Sequence, residues 1–300
     1  MAPPKAPAAA ARVELNDETL RDGLQSPSVA DPPLGRKQAA LSVMSELGVD
    51  AVSLGLPAAG PRQREHVEAL LREVVRQRLA LDAHCAARTT PEDLAVVADL
   101  QQRVGARLSV YAFLGTSPIR RFAEGWAVDH LLRTLDGALD FAERHALELA
   151  FVTEDTTRSR PEELARLFGH ALGRGVRRLV LCDTVGHAVP RGVVRLVRWV
   201  QASFPDQPGL RLDWHGHDDR GLAVANAMAA IEAGVHRVHG TLTGAGERAG
   251  NTPLERLLDA RAAAGGRPRA RGALHEYRRL LGPSLGLDAA SPARGVVDAA

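Results

Sequence analysis

Cysteine is scarce in this chain: two residues in 300, Cys85 and Cys182, each inside an apolar segment. That excludes a disulfide-stapled secreted scaffold and fits buried thiols in a reducing compartment, so a cytoplasmic location is expected. No apolar run approaches the ~20 residues that a membrane-spanning helix needs. A secretory signal's apolar core is missing too. Charge of one sign is equally lacking. The formal net charge is +2, and the arginines are scattered along helical faces instead of forming a block. Neither nucleic acid nor an anionic membrane is therefore an expected partner. A G-x-G-x-x-G turn after the first strand is absent as well, which removes the main sign of a dinucleotide-binding open sheet. What remains, 45% hydrophobic and 25% charged, is an ordinary globular composition with enough chain for one large core or two small ones.

The chain alternates. Residues 1–11 are rich in proline and alanine and read as a disordered leader. Short apolar strands are then expected at 13–16, 50–57, 79–86, 106–114, 147–155, 176–186, 210–214 and from 235. Helical spacing, or a proline at a first helical position, follows each of them. Residues 35–47 carry Ala39, Ala40, Val43, Met44 and Leu47 at helical intervals, closed by Gly48. Thr90-Pro91, Pro161, Pro190 and Pro253 open further helices. About eight strand-then-helix units fall within 12–265, the rhythm of an α/β fold of the TIM (β/α)8 barrel type. Residues 266–300, with one helix near 274–281, read as a short C-terminal extension and not as a second domain.

In such a barrel the active site lies at the C-terminal ends of the strands, and polar residues cluster there. Strand one runs into Arg21-Asp22, strand five ends in Glu154-Asp155, and strand six in Asp183-Thr184. Strand seven carries His215 and His217, two apart and so on one face, followed by Asp218 and Asp219. Strand eight enters a loop with Gly244, Gly246, Glu247, Arg248 and Asn251. Barrel closure makes strands seven, eight and one neighbours. Asp22, His215 and His217 can then share one ion, leaving coordination positions open as a catalytic site requires. Taken singly, each signal has a plainer meaning. H-x-H also fits two solvated loop histidines, Arg21-Asp22 fits an ordinary salt bridge, and Asp183-Thr184 can cap a helix. His84, His187, His236 and His239 are read as structural, and both cysteines as packing residues.

The segments DETLRDGLQ, DTVGHAVP, HGHDDRGLAVAN and GTLTGAGERAGN resemble, in order, the signatures of the DRE-TIM metallolyase superfamily. Within it they resemble most the 2-isopropylmalate, homocitrate and citramalate synthases. The resemblance covers about 12–260. It implies a divalent-metal enzyme (Mg, Mn or Zn) that condenses acetyl-CoA or another acyl-CoA with a 2-oxo acid, in steps of amino-acid biosynthesis such as that of leucine. By resemblance, Asp22, His215 and His217 are metal ligands, and Asn251 is a further ligand or supports them. Arg21 polarises the ketone and stabilises the enolate. Gln25 belongs to the metal's surroundings, Glu154 and Thr184 line the substrate pocket, and Glu154 is the candidate base by position. Tyr111 stands where the relatives often carry a histidine, and the loop with Gly244, Gly246, Glu247 and Arg248 is tied to acyl-CoA binding. A homodimer is also implied.

The chain departs from the synthases at several points. Leu24 replaces a glutamate, so RDGLQ resembles 3-hydroxy-3-methylglutaryl-CoA lyase. Ser53 stands for another glutamate and Asp218 for an asparagine. Against the lyase, whose glycine-rich loop carries a catalytic cysteine, residues 240–251 contain none. The full synthases continue into an accessory subdomain; here His275 and Tyr277 fall in the short extension, with no motif to align them. Two further readings stay open: a carbon–carbon lyase or aldolase on the same residues, and an inactive paralogue that binds CoA or a keto acid. Asp218 faces either the ion or Arg248.

Overall fold

The computed structural model describes residues 12–263 and 270–286; the leader at 1–11 and most of the extension's length lie outside them. Eight parallel strands close into one barrel in sequence order: β1 (Glu14–Asp17), β2 (Ala51–Ser53), β3 (Asp82–Arg88), β4 (Ser109–Gly115), β5 (Leu149–Glu154), β6 (Arg178–Asp183), β7 (Arg211–Gly216) and β8 (Arg237–Gly240). The seam is the β1–β8 pair, with Asn16 opposite His239 and Asp17 opposite Gly240. The expected (β/α)8 architecture is therefore present.

The helices are α1 (Leu34–Leu47), α2 (Pro61–Gln77), α3 (Pro91–Val104), α4 (Pro118–Glu124), α5 (Val128–Arg144), α6 (Pro161–Gly173), α7 (Pro190–Ser203), α8 (Ala223–Ala233), α9 (Leu254–Ala263) and α10 (Arg271–Leu281). Five of them, α2, α3, α4, α6 and α7, begin with proline, whose fixed φ suits the first helical position and whose missing N–H costs nothing there. The short α4 was not anticipated. Its local signals were present: Ser117 accepts a hydrogen bond from Arg120 N, and Gly125 closes it at φ 68°. No helix among the described residues is long and apolar enough to cross a membrane.

Strand parity divides the core into two. On β7, Leu212 and Trp214 belong to the large apolar layer between sheet and helices, whereas Asp213 and His215 point into the barrel, as alternation requires. The barrel interior holds a small apolar cluster of Tyr111, Ala150, Val180 and Cys182. Toward its N-terminal end lies a buried charge network. Arg237 reaches Glu14 (Nε to Oε2, 2.9 Å), Asp82 (2.8 Å) and the Tyr111 hydroxyl (2.7 Å). Arg178 and Tyr111 both donate to Asp213, at 2.6 and 3.1 Å.

Helix α10 packs on α1 and closes against β1. Its Tyr277 is fully buried and donates its hydroxyl to Asp17 Oδ2 at 2.7 Å. Burial raises the Asp17 carboxyl from its ordinary 3.8 to about 6, against the pull of its Thr19 and Tyr277 hydrogen bonds. A raised carboxyl favours the folded state fully below the ordinary carboxylate range and loses that contribution as pH rises through the folded value. Charged Asp17 therefore costs about 3 kcal/mol above pH ~6. Asp17→Asn keeps an acceptor for Thr19 N, and the Tyr277 hydroxyl can turn to accept from the new amide. The variant should be more stable than the wild type at pH 7.5 and lose that advantage below about pH 4. Thermal unfolding across that range checks this; an advantage independent of pH contradicts the assignment.

Candidate active site

The first site element is a tight turn. After β1, the N–H groups of Arg21 and Gly23 return to the Glu18 carbonyl at 3.1 Å, and Gln25 N returns to that of Asp22 at 3.0 Å. This closed turn, which leads into the short 3-10 segment Asp22–Leu24, brings the side chains of Glu18, Arg21 and Asp22 together: Arg21 Nε lies 2.5 Å from Glu18 Oε2 and its Nη2 3.3 Å from Asp22 Oδ2. All three line a cavity of about 290 Å³ at the mouth of the barrel, together with Gln25, Tyr111, Glu154, Thr184, His215, His217 and Glu247.

The second element comes from β7. Nε2 of His215 and Nε2 of His217 stand 3.3 Å apart, and both face Asp22 Oδ2, at 3.4 and 3.7 Å. These three buried residues offer ligand atoms within 4.8 Å of one another. Tetrahedral ligands at the usual 2.0–2.2 Å from one ion lie about 3.4 Å apart, so the spacing fits a single cation. The protonation states fit as well. Burial is the largest influence on His217 and lowers it to about 4, outweighing the Asp22 carboxylate. Its ring is thus neutral near pH 7, with a lone pair to give. Burial alone would raise Asp22, but Arg21, His215 and His217 hold it well below the ordinary carboxylate range.

Asn251 reaches this group from the loop after β8. It pairs with His217 across an antiparallel bridge, and its amide donates to Asp22 Oδ1 at 2.8 Å. In this geometry it holds the carboxylate by hydrogen bonding. Gly246 packs directly against that contact at φ 154°, where a Cβ would overlap the Asn251 amide and come 2.9 Å from Asp22 Oδ1. Gly246→Ala should therefore lower divalent-metal affinity by about 10–100-fold, the usual effect of losing such a supporting hydrogen bond. Calorimetric titration with Mn2+ measures it, and wild-type affinity would count against the arrangement.

The other residues singled out from the sequence divide. Glu154 lies at the cavity wall, its carboxyl raised by burial and partly pulled back by Arg120. Thr184 lines the same wall and accepts from Asp155 N at 2.8 Å. Tyr111 lines the floor, but its hydroxyl is committed to Asp213 and Arg237, so only the ring, stacked 3.8 Å from His84, is available. Gly244, Gly246 and Arg248 are not among the lining residues, so the geometry does not place them as substrate contacts. Arg248 instead ties the rim together through Asp219 (2.8 Å) and the Thr184 carbonyl (2.5 Å). Asp218 faces neither the cation site nor Arg248: its Oδ1 accepts from Ala223 N at the start of α8. Asp183 accepts from the His187 and Ala188 N–H groups in the loop before α7 and so does not cap that helix, whose N-cap Val189 has no side-chain partner.

Four polar lining residues are not marked as functional by the sequence: Glu18, Ser53 as a cavity wall, and His84 and His239, which read as structural. Glu18 carried a usable signal, since it lies three residues before Arg21 on the same turn. His84 and His239 carried none, because an inward-facing histidine on a strand looks like any other. Cys182 also lines the cavity, and burial pushes its thiol up, away from the reactive thiolate.

The HMGL-like family pattern matches residues 12–277. The 2-isopropylmalate synthase of Methylacidiphilum infernorum (isolate V4) is 32% identical over 248 residues, 82% of this chain and 48% of the relative. That of Xanthomonas axonopodis pv. citri (strain 306) is 35% identical over 255 residues, 82% of this chain and 46% of the relative. The chain thus spans about half the length of these curated relatives. The HMG-CoA lyase structure from Pseudomonas aeruginosa superposes with a TM-score of 0.76 at 20% identity, covering 95% of this chain and 97% of that one. The lyase from Acenitobacter baumannii, in complex with coenzyme A and 3-methylmalate, gives 0.75 at 22% identity and covers 98% of both. At these identities the structures show the shared barrel. The sequence match runs through every strand and reaches the buried helix of Tyr277, and on that ground the chain belongs to the HMGL-like family.

Proposed function

We propose that this chain is an acyltransferase that condenses an acyl-CoA, with acetyl-CoA the first candidate, with a 2-oxo acid and hydrolyses the thioester to a 2-hydroxy dicarboxylate. The observation that carries the reading is the convergence of Asp22, His215 and His217 beside the Arg21 guanidinium in one barrel-mouth cavity. A divalent ion held by those three residues supplies Lewis-acid polarisation of the ketone. Arg21, kept cationic by Glu18 and Asp22 despite its burial, stabilises the negative charge that grows on the ketone oxygen as the new carbon–carbon bond forms. The acyl methyl must lose a proton. Glu154 is assigned that task, because its raised carboxyl brings its proton affinity nearer the working pH. Water then cleaves the thioester to a carboxylate and a free thiol.

Relatives at 32–35% identity that are named 2-isopropylmalate synthase support the synthase reading, as does the absence of cysteine from residues 240–251. Cleavage of a 3-hydroxy-acyl-CoA is the second reading, favoured by Leu24 in the RDGLQ segment. Free-thiol release from acetyl-CoA with a panel of 2-oxo acids is the test. Release that requires a 2-oxo acid and a divalent metal is the expected result. Cleavage of 3-hydroxy-3-methylglutaryl-CoA without such release replaces the synthase by the lyase.

A further inference from the structure

Glu18 is a buried carboxylate in the cavity wall, only 2% exposed, and the chemistry above uses it only to keep Arg21 charged. Its Oε2 accepts from Arg21 Nε at 2.5 Å. Its Oε1 accepts from Asn16 Nδ2 at 2.7 Å. Behind it stands His239, with Nδ1 3.5 Å from Glu18 Oε1 and Nε2 3.3 Å from Asp213 Oδ2. A continuous polar chain therefore runs from the charge network inside the barrel, through Asp213, His239 and Glu18, to Arg21. The backbone is fixed as well: Glu18 N donates to the Gly240 carbonyl of β8 at 2.8 Å.

The guanidinium is held at two points. Nε is taken by Glu18 and Nη2 faces Asp22 Oδ2 at 3.3 Å. Nη1 makes no hydrogen bond to the described residues and is left for the cavity. A long side chain with four torsions keeps one orientation only when such anchors hold it.

We propose that Glu18 is a positioning residue, whose carboxylate sets the plane of the Arg21 guanidinium so that its free edge meets the oxygen on which charge develops. The inference rests on the proposed reaction for the role of Arg21, but the orientation itself can be observed without any substrate. Although burial alone would raise it, Arg21 together with His84 and His239 holds the Glu18 carboxyl down to about 2. The anchor thus remains charged at any pH at which the protein works. Glutamine cannot replace it. One amide face must accept from Asn16, and the other then presents N–H to the N–H of Arg21.

The test uses the full chain, with diamagnetic Mg2+ for the resonance and Mn2+ for the binding and rate measurements. The Arg21 Nε–H resonance, identified by its loss in Arg21→Lys, should be sharp and slowly exchanging in the wild type and broadened in Glu18→Gln. Over the same panel, kcat of Glu18→Gln should fall about 10–100-fold, while Mn2+ stoichiometry and affinity stay at wild-type level, as for loss of a group that acts through another. Glu18→Asp keeps the charge on a shorter arm and should recover part of both signals; it also serves if the glutamine variant does not fold. An Arg21 resonance that is unchanged in Glu18→Gln overturns the proposal, and so does an aspartate variant no better than glutamine. A wild type inactive on the whole panel would sink the reaction assigned above and leave the resonance to decide the role of Glu18.

Discussion

His217→Ala is expected to lose divalent-metal binding. The three ligand atoms come from two segments, one buried carboxylate and two imidazoles, and their separations of 3.3, 3.4 and 3.7 Å close around one point. Removing a supporting hydrogen bond at a metal site costs about 10–100-fold in affinity, so removing a ligand should cost more than about 100-fold. A bound ion also stabilises the fold by mass action. Excess Mn2+ should therefore raise the melting temperature of the wild type and leave that of His217→Ala unmoved. Asp22→Asn is the companion variant. It retains the oxygen that accepts from Asn251 and nearly the same volume, yet removes the charge. It should melt somewhat below the wild type without metal, since Arg21 loses the carboxylate it faces, and should lose the metal-induced rise. Full metal content in both variants would exclude this cluster as the metal site.

Arg21→Lys should lower kcat by about 10²–10³ while metal binding persists, the scale seen when one preorganised donor to a developing oxyanion is removed. The change preserves charge and removes geometry. Lysine has no planar fork, so a single ammonium cannot meet Glu18 Oε2, face Asp22 and still present an edge to the cavity. Steady-state kinetics with metal titration separates the two effects. A variant with near-wild-type kcat would mean that charge alone suffices and that the fork has no special role.

Much of the barrel was legible because its signals are local. Proline at first helical positions, glycine after α1 and short apolar runs between them set the number and order of elements. The His215-x-His217 spacing fixed which face both rings share, since strand parity is a property of two adjacent residues. The position of Arg21 and Asp22 just past β1 was legible for the same reason, and the turn phase of Glu18 was open to the same reading.

Other features depend on partners far away in the chain. Asn251 holds Asp22 across 229 residues, and Tyr277 of α10 meets Asp17 across 260. Nothing near Tyr277 in sequence announces that contact; it exists because α10 packs on α1 and covers the end of β1. Asp218 shows the limit clearly. The sequence left it between the ion and Arg248, and the fold gave it to the start of α8 while Arg248 took Asp219. By itself, then, the sequence determined the barrel, its mouth and the three residues fit to hold a metal. Only closure of β8 onto β1 decided that Glu18, His239 and Asp213 stand in line behind Arg21. Periodicity specifies which way a side chain points, whereas its partner is chosen by the packing of strands and helices that are distant in the chain.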